Sequence, residues 1–345
     1  MSTESISVPR NSYLLRPFLD VDAFAEIPYS RLATMQASHK PHALRPGDVV
    51  RVLSLASPVQ EERLRKGCAE IERLGYRPQM EARVARAGGS FFADSAANRL
   101  RALKSALEDA STRAIFCSRG GYGSNYLIEG LDTVPAAPKI FLGSSDITSI
   151  QTFLWQKFMW VSFYGPMVAS NFDQGAGAEH GYDQASLISA LTSTEEGWPL
   201  DLQGEGLTAG TARGILLGGC LTLLETTLGT PWEIDTNGAI LVLEDRGMKP
   251  YQVDRALMHL KQAGKLRAVE GIVLGDFPDC EGPAGDETVR DVVRRVLDDS
   301  RIPIVWGARI GHTSRPMLTI PLGVLAELSS KGKCTLRILE PACSA

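Results

Sequence analysis

Between residues 49 and 307 the chain alternates short apolar runs with stretches of helical period, and this alternation restricts the fold more than any other feature. VVRVLSLA (49–56) reads as a buried strand after the turn at Pro46-Gly47-Asp48. EERLRKGCAEIERLGY then sets Leu64, Cys68, Ile71 and Leu74 on one helical face and stops at Gly75. AIFCS (114–118) and KIFLG (139–143) are further strands, with helices predicted over 96–109 and 146–157. After residue 208 the pattern restarts. RGILLGGCLTLLETTLG predicts a strand, a Gly-Gly turn and a helix, and AILVLED (239–245), EGIVLGDF and PIVWG are strands. Helices cover 251–263 and 287–298, the second with Val289, Val292, Val293 and Val296 inward, and VLAELS and CTLRIL form a closing pair. Strands that alternate with helices predict an α/β fold: a parallel sheet with helices on its faces.

A chain of 345 residues has room for two domains. Residues 1–44 show weak periodicity and read as an N-terminal extension, 45–168 as a first domain and 209–345 as a second. Residues 169–208 read as a linker, because QGAGAEHGYDQ and GWPLDLQGEG are loop-like around one helical stretch near 186–191. The two signs of charge are mixed, the net charge is −4 with His neutral, and no basic block marks a nucleic-acid footprint. The start, MSTESISVPRNSYLL, lacks the apolar core of a secretory signal, and no run approaches the roughly 20 apolar residues of a membrane span. Six cysteines (68, 117, 220, 280, 334, 343) without CxxC or regular spacing suit a reducing compartment. The expectation is a cytoplasmic protein without nucleic-acid or membrane partners.

In open α/β sheets, ligands bind beyond the carboxyl ends of the strands. GSSDIT (143–148) puts Ser145 in a sharp turn before a helix, where following backbone N–H groups can face a developing oxyanion; the same residues also serve as a plain helix cap. RGGYGSN (119–125) follows AIFCS and exposes backbone donors or simply makes a tight turn, and it matches neither GxxxxGK[ST] nor GxGxxG. LVLEDRG (241–247) ends a strand in Glu244 and Asp245. A nucleophilic serine needs a base. Of five histidines, His39 and His42 lie in the extension, His180 in the Gly-rich segment and His259 on an amphipathic helix, so elimination points to His312 in IGHTSRP. Cys117 is a second possible nucleophile, set against a structural thiol. There is no HExxH and the one close His pair, His39/His42, lacks acidic or Cys neighbours, so neither metal nor cofactor is expected.

Taken in order, LRPGDVV, CSRGGYGSNYLIEGLD, FLGSSDIT, YGPM, LLGGCLTLL, LVLEDRG with PYQVDRAL, GIVLGDF and GHTSRPMLTIPLG resemble the LD-carboxypeptidase family over roughly residues 44–325. That family includes muropeptide-recycling enzymes and self-immunity peptidases against microcin C. The resemblance implies a flavodoxin-like N-terminal domain, a second α/β domain, and an active site in the cleft between them. It implies a homodimer without cofactor. It assigns Ser145 as nucleophile, Glu244 and His312 as its triad partners, and the amides of Gly121 and Asp146 as oxyanion donors. The implied reaction is hydrolysis of the L,D-amide bond that releases terminal D-alanine from murein tetrapeptides. Cleavage of peptidyl-nucleotides by the same site, or binding without catalysis, are the alternatives. A cation should meet the carboxylate of the leaving group, with Arg246, Arg309 and Arg315 as candidates, and Trp198 could stack on a base in the nucleotide reading. Two departures bear on substrate: Tyr164-Gly165-Pro166 stands where members usually have His-Gly-Pro, and Gly218-Gly219-Cys220 where many have Gly-Gly-Asn.

Overall fold

The alternation of short apolar runs and amphipathic stretches becomes two sheets in the computed structural model, which describes residues 38–80, 91–131, 133, 137–283 and 285–345. The first half gives β1 (Val49–Leu53), α1 (Glu61–Arg73), β2 (Arg77–Met80), α2 (Ala96–Glu108), β3 (Thr112–Cys117), β4 (Ile140–Gly143), α3 (Thr148–Phe158) and β5 (Ser162–Tyr164). Its strands lie parallel in the order β2-β1-β3-β4-β5, the flavodoxin-like winding. β4 is buried at every position because both faces of the sheet are covered, which is why it reads as an unbroken apolar run.

The rest gives α4 (Gln184–Thr192), β6 (Trp198–Asp201), β7 (Glu205–Thr208), β8 (Thr211–Cys220), α5 (Leu221–Glu225), β9 (Ala239–Glu244), α6 (Pro250–Gln262), β10 (Gly271–Gly275), α7 (Val289–Val296), β11 (Ile304–Ala308), β12 (Ile320–Leu322), β13 (Leu325–Ser329) and β14 (Thr335–Ile338). An eight-stranded sheet runs β6-β14-β13-β8-β9-β10-β11-β7, parallel from β8 to β11 and antiparallel at its margins. β12 instead joins the first sheet, antiparallel to β5, with Ile320 opposite Tyr164. A core that runs from Val52 and Leu142 through Leu216 and Val242 to Ile338 is continuous from one sheet to the other. Each such buried aliphatic side chain contributes about 1.5–3 kcal/mol, so this core fixes the two sheets against each other.

Three sequence expectations change. The segment read as a linker, 169–208, carries α4, β6 and β7, and its Phe172, Tyr182, Leu187 and Leu200 are buried in the shared core. β6 and β7 are edge strands held by β14 and β11, remote in sequence, and an edge tolerates Pro199. Gly218-Gly219 is not a turn: β8 runs through both to Cys220, which pairs with Glu244. Of the extension read over 1–44, residues 1–37 lie outside the described residues. Residues 38–44 are tied to the body, where His39 bridges Trp160 and His42 bridges Ser344.

Candidate active site

β4 ends at Gly143, and the chain turns so sharply that Ser145 takes φ 59°, a left-handed conformation that glycine adopts readily and serine rarely. Such a residue costs about 1–3 kcal/mol and marks a site where strain is held by its surroundings. A short 3-10 turn, Ser145–Ile147, then leads into α3. The turn is braced by Asp146, whose buried carboxylate accepts from the Ser124 amide at 2.8 Å while Ser124 Oγ donates to the Asp146 carbonyl at 2.5 Å. Burial pushes the Asp146 carboxyl up, against the backbone donors that hold its charge. These bonds lock the Gly-rich loop after β3 onto the Ser145 turn. Gly120 is packed so close that a Cβ there would lie 2.9 Å from Ser145 Oγ. Among the described residues, the amides of Gly121 and Asp146 have no hydrogen-bond acceptor.

Glu244 ends β9 with no exposed surface. Its Oε2 accepts from His312 Nδ1 at 2.7 Å and from the His312 amide at 2.8 Å, and its Oε1 accepts from the Tyr164 hydroxyl at 2.5 Å. Burial works against the charge of Glu244, but His312 and these donors outweigh it and hold the carboxyl below its ordinary range. Burial likewise disfavours a proton on His312, and Glu244 outweighs it in turn, so the imidazole sits above its ordinary value. Gly311, at φ 72°, is required here, since a Cβ would fall 2.2 Å from Glu244 Cδ. Asp245 points away, accepting from the amide and hydroxyl of Thr222 at 2.8 Å each. The choice between the two acids, left open by the strand-end pattern and given to Glu244 by the resemblance, falls on Glu244 as the hydrogen-bond partner of His312.

Ser145, Gly121 and His312 line one cleft of about 260 Å³, together with Arg119, His180 and Arg246. The Ser145 hydroxyl and the His312 ring are not hydrogen-bonded to each other in this conformation, although both border the same space. Of the cation candidates, Arg246 reaches the cleft but pairs with Asp279 at 2.8 Å. Arg309 is bound to Asp183 and Arg315 to Asp276, each at 2.8 Å, and neither lines the cleft; they brace the loop that carries His312. Trp198 sits in β6 against the shared core, away from the cleft lining. Cys220 is buried, with its thiol 3.5 Å from Asp245 and its amide donating to Thr148 Oγ1 at 3.1 Å. Cys117 is fully buried and its thiol is pushed far up, which leaves no reactive thiolate there. Among the described residues, no group of three or more His, Cys, Asp or Glu could hold a metal ion.

Two residues that the sequence reading did not place in the site belong to it. Arg119 borders the cleft and, among the described residues, its side chain donates only to the Pro58 carbonyl, at 3.2 Å. It stands directly before the Gly-Gly pair, and that position was the one available signal. Tyr164 registers in the sequence only as a departure from a pattern, yet its hydroxyl joins the end of β5 to Glu244 in the second sheet.

Comparisons with known proteins place the chain in a family. Residues 50–165 match the family model described as the LD-carboxypeptidase N-terminal domain, and residues 213–328 match the LD-carboxypeptidase C-terminal domain. The probable murein peptide carboxypeptidase of Bacillus subtilis (strain 168) is 35% identical over 305 residues, covering 86% of this chain and 93% of that protein. The microcin C7 self-immunity protein of Escherichia coli is 26% identical over 316 residues, covering 81% of this chain and 89% of that one. The crystal structure of muramoyltetrapeptide carboxypeptidase from Oxalobacter formigenes superposes with a TM-score of 0.74 at 26% identity, covering 85% of this chain and 99% of the other. With both domain models matched in order and a relative of this identity aligned over nearly its whole length, the chain belongs to the LD-carboxypeptidase family.

Proposed function

We propose that this protein is a serine carboxypeptidase that hydrolyses the L,D-amide bond before the terminal D-alanine of murein tetrapeptides. The observation that carries the reading is the buried Glu244–His312 contact of 2.7 Å, bordering the cleft that also holds Ser145 on its strained turn. With Nδ1 turned to Glu244, Nε2 is the nitrogen of His312 left for the serine. In the proposed reaction, His312 Nε2 takes the hydroxyl proton as Ser145 Oγ attacks the carbonyl carbon, and Glu244 stabilises the imidazolium. The amides of Gly121 and Asp146 receive the oxyanion, each donor contributing about 3 kcal/mol to the transition state. His312 then returns the proton to the leaving amine as the C–N bond breaks. A water molecule, deprotonated by His312, opens the acyl-ester and restores the Ser145 hydroxyl.

The identity to a murein peptide carboxypeptidase supports the substrate class. So does the cleft, whose described lining holds no Trp, Tyr or Phe to stack on a nucleobase. Of its two arginines, Arg246 pairs with Asp279 and Arg119 has no acidic partner among the described residues, so we assign Arg119 to the carboxylate of the departing D-alanine. Arg119→Ala is expected to lower kcat/KM about 10- to 100-fold, mainly by raising KM, as loss of one charge-assisted hydrogen bond predicts. Steady-state kinetics on a tetrapeptide and on its C-terminal amide check this, since the amide should be insensitive to the change.

The test of the whole reading is release of D-alanine from an L,D-tetrapeptide ending in D-alanine. Release supports it. A folded protein that reacts with a serine-directed phosphonate yet releases no D-alanine would move the substrate to peptidyl-nucleotides.

A further inference from the structure

The hydroxyl of Tyr164 occupies a junction that the proposed mechanism does not use. It accepts from the Ser145 amide at 3.0 Å and donates to Glu244 Oε1 at 2.5 Å, so one oxygen joins the nucleophile turn to the carboxylate behind the base. The residue is fully buried and does not line the cleft, so it cannot touch substrate. Its backbone is held between β4 and β12 in the first sheet, and Gly219 of β8 packs so near its ring that a Cβ there would lie 3.2 Å from Tyr164 Cε2.

We propose that Tyr164 is a positioning residue, whose hydroxyl sets the Ser145 turn and holds Glu244 ionised beneath His312; this rests on the serine-hydrolase reading above. The hydrogen-bond capacity of the two neighbours forces the assignment. Glu244 Oε2 is occupied by both donors of His312, so Tyr164 is the one donor to Oε1 among the described residues. A buried carboxylate oxygen without a donor is costly and binds protons more readily. Burial and the neighbouring Glu244 keep the phenol protonated, so it remains a donor throughout the working pH range. The same oxygen takes up the Ser145 amide. That amide is thereby withdrawn from the oxyanion, and Asp146 and Gly121 are left to serve it.

The active state of the Glu244–His312 pair carries one net negative charge, and the Tyr164 O–H dipole stabilises that state over its protonated form. Removing the hydroxyl must therefore raise the pH at which the pair takes up its first proton. A purely structural role for the ring would not move that pH.

The experiment is the rate of Ser145 labelling by a fluorophosphonate as a function of pH, which reads nucleophile activation without assuming a substrate. Wild type, Tyr164→Phe and Tyr164→His are compared, with folding followed by circular dichroism. Tyr164→Phe keeps the ring and should label about 10- to 100-fold more slowly, the range for loss of a hydrogen bond to a buried charged group. Its acid limb should move up by about one pH unit. Tyr164→His, which can accept at one nitrogen and donate at the other, should recover most of the rate. A Tyr164→Phe profile whose acid limb stays at the wild-type pH overturns the proposal. Should Tyr164→Phe fail to fold, Tyr164→His decides: labelling within about tenfold of wild type supports the assignment, and a folded variant as unreactive as Ser145→Ala overturns it. A wild-type protein that is not labelled at Ser145 overturns the serine-hydrolase reading itself, and this assignment with it.

Discussion

Ser145→Ala is expected to lower D-alanine release on the order of 10⁵- to 10⁶-fold, the loss seen when the nucleophile of a triad is removed, with the fold unchanged. Among the described residues, the Ser145 hydroxyl has no hydrogen-bond partner, so alanine removes no structural contact. The amide stays bonded to Tyr164, and alanine pays the same positive-φ penalty as serine, so the turn keeps its shape. Activity assays paired with thermal melts check this. Retention of more than a few per cent of the activity in a folded variant would place the nucleophile elsewhere, and the buried Cys117 could not supply it.

The second large effect is expected from Glu244→Gln, which should reduce kcat about 10³- to 10⁴-fold, as loss of the orienting carboxylate does in triads generally. The Gln oxygen can still meet both donors of His312. Its NH₂ would then face the Tyr164 hydroxyl, which already accepts from Ser145 and has a hydrogen of its own to place. The acid limb of the rate should move to lower pH, because burial of His312 remains while the negative charge that outweighed it is gone. This shift is opposite in sign to that expected for Tyr164→Phe, so one pH series separates the two roles.

Stability and activity should prefer different pH. The carboxyl of Glu244 lies below its unfolded value of about 4.3, so its contribution is present above that pH and lost as pH falls through the folded value. His312 lies above its unfolded value of about 6.5, so its contribution is complete below that pH and lost as pH rises through the folded value. Both are present between about pH 4.3 and 6.5, whereas the free base needed for attack accumulates only above about 6.5. Denaturant midpoints and kcat/KM measured across pH should therefore change in opposite directions on passing through the His312 titration, and Glu244→Gln should flatten the stability difference. A wild-type acid limb below the ordinary histidine range would contradict the Glu244–His312 coupling.

The parallel strands and their covering helices were legible because a buried strand and a half-buried helix each write their own period into adjacent residues. Val289, Val292, Val293 and Val296 face inward on α7 as their spacing requires, and the strand ends that carry Ser145 and Glu244 follow from the apolar runs before them. His312 emerged from the scarcity of histidines as well as from the family resemblance. What the sequence left open depended on partners far along the chain. Successive strand residues point to opposite faces, so whether Glu244 or Asp245 serves the base is decided by where the His312 loop lies, 68 residues away in the case of Glu244. Arg309 looked as available as any cation until the fold brought Asp183 to it from 126 residues away, whereas no acid among the described residues pairs with Arg119. β6, β7 and β12 are strands because other strands offered them unpaired backbone, not because their own residues alternate strongly. Tyr164 joins a serine and a glutamate from different sheets, and a hydrogen bond across a domain leaves no local period to read. Local burial patterns determined the elements, and long-range pairing of charges, edges and hydroxyls decided the site.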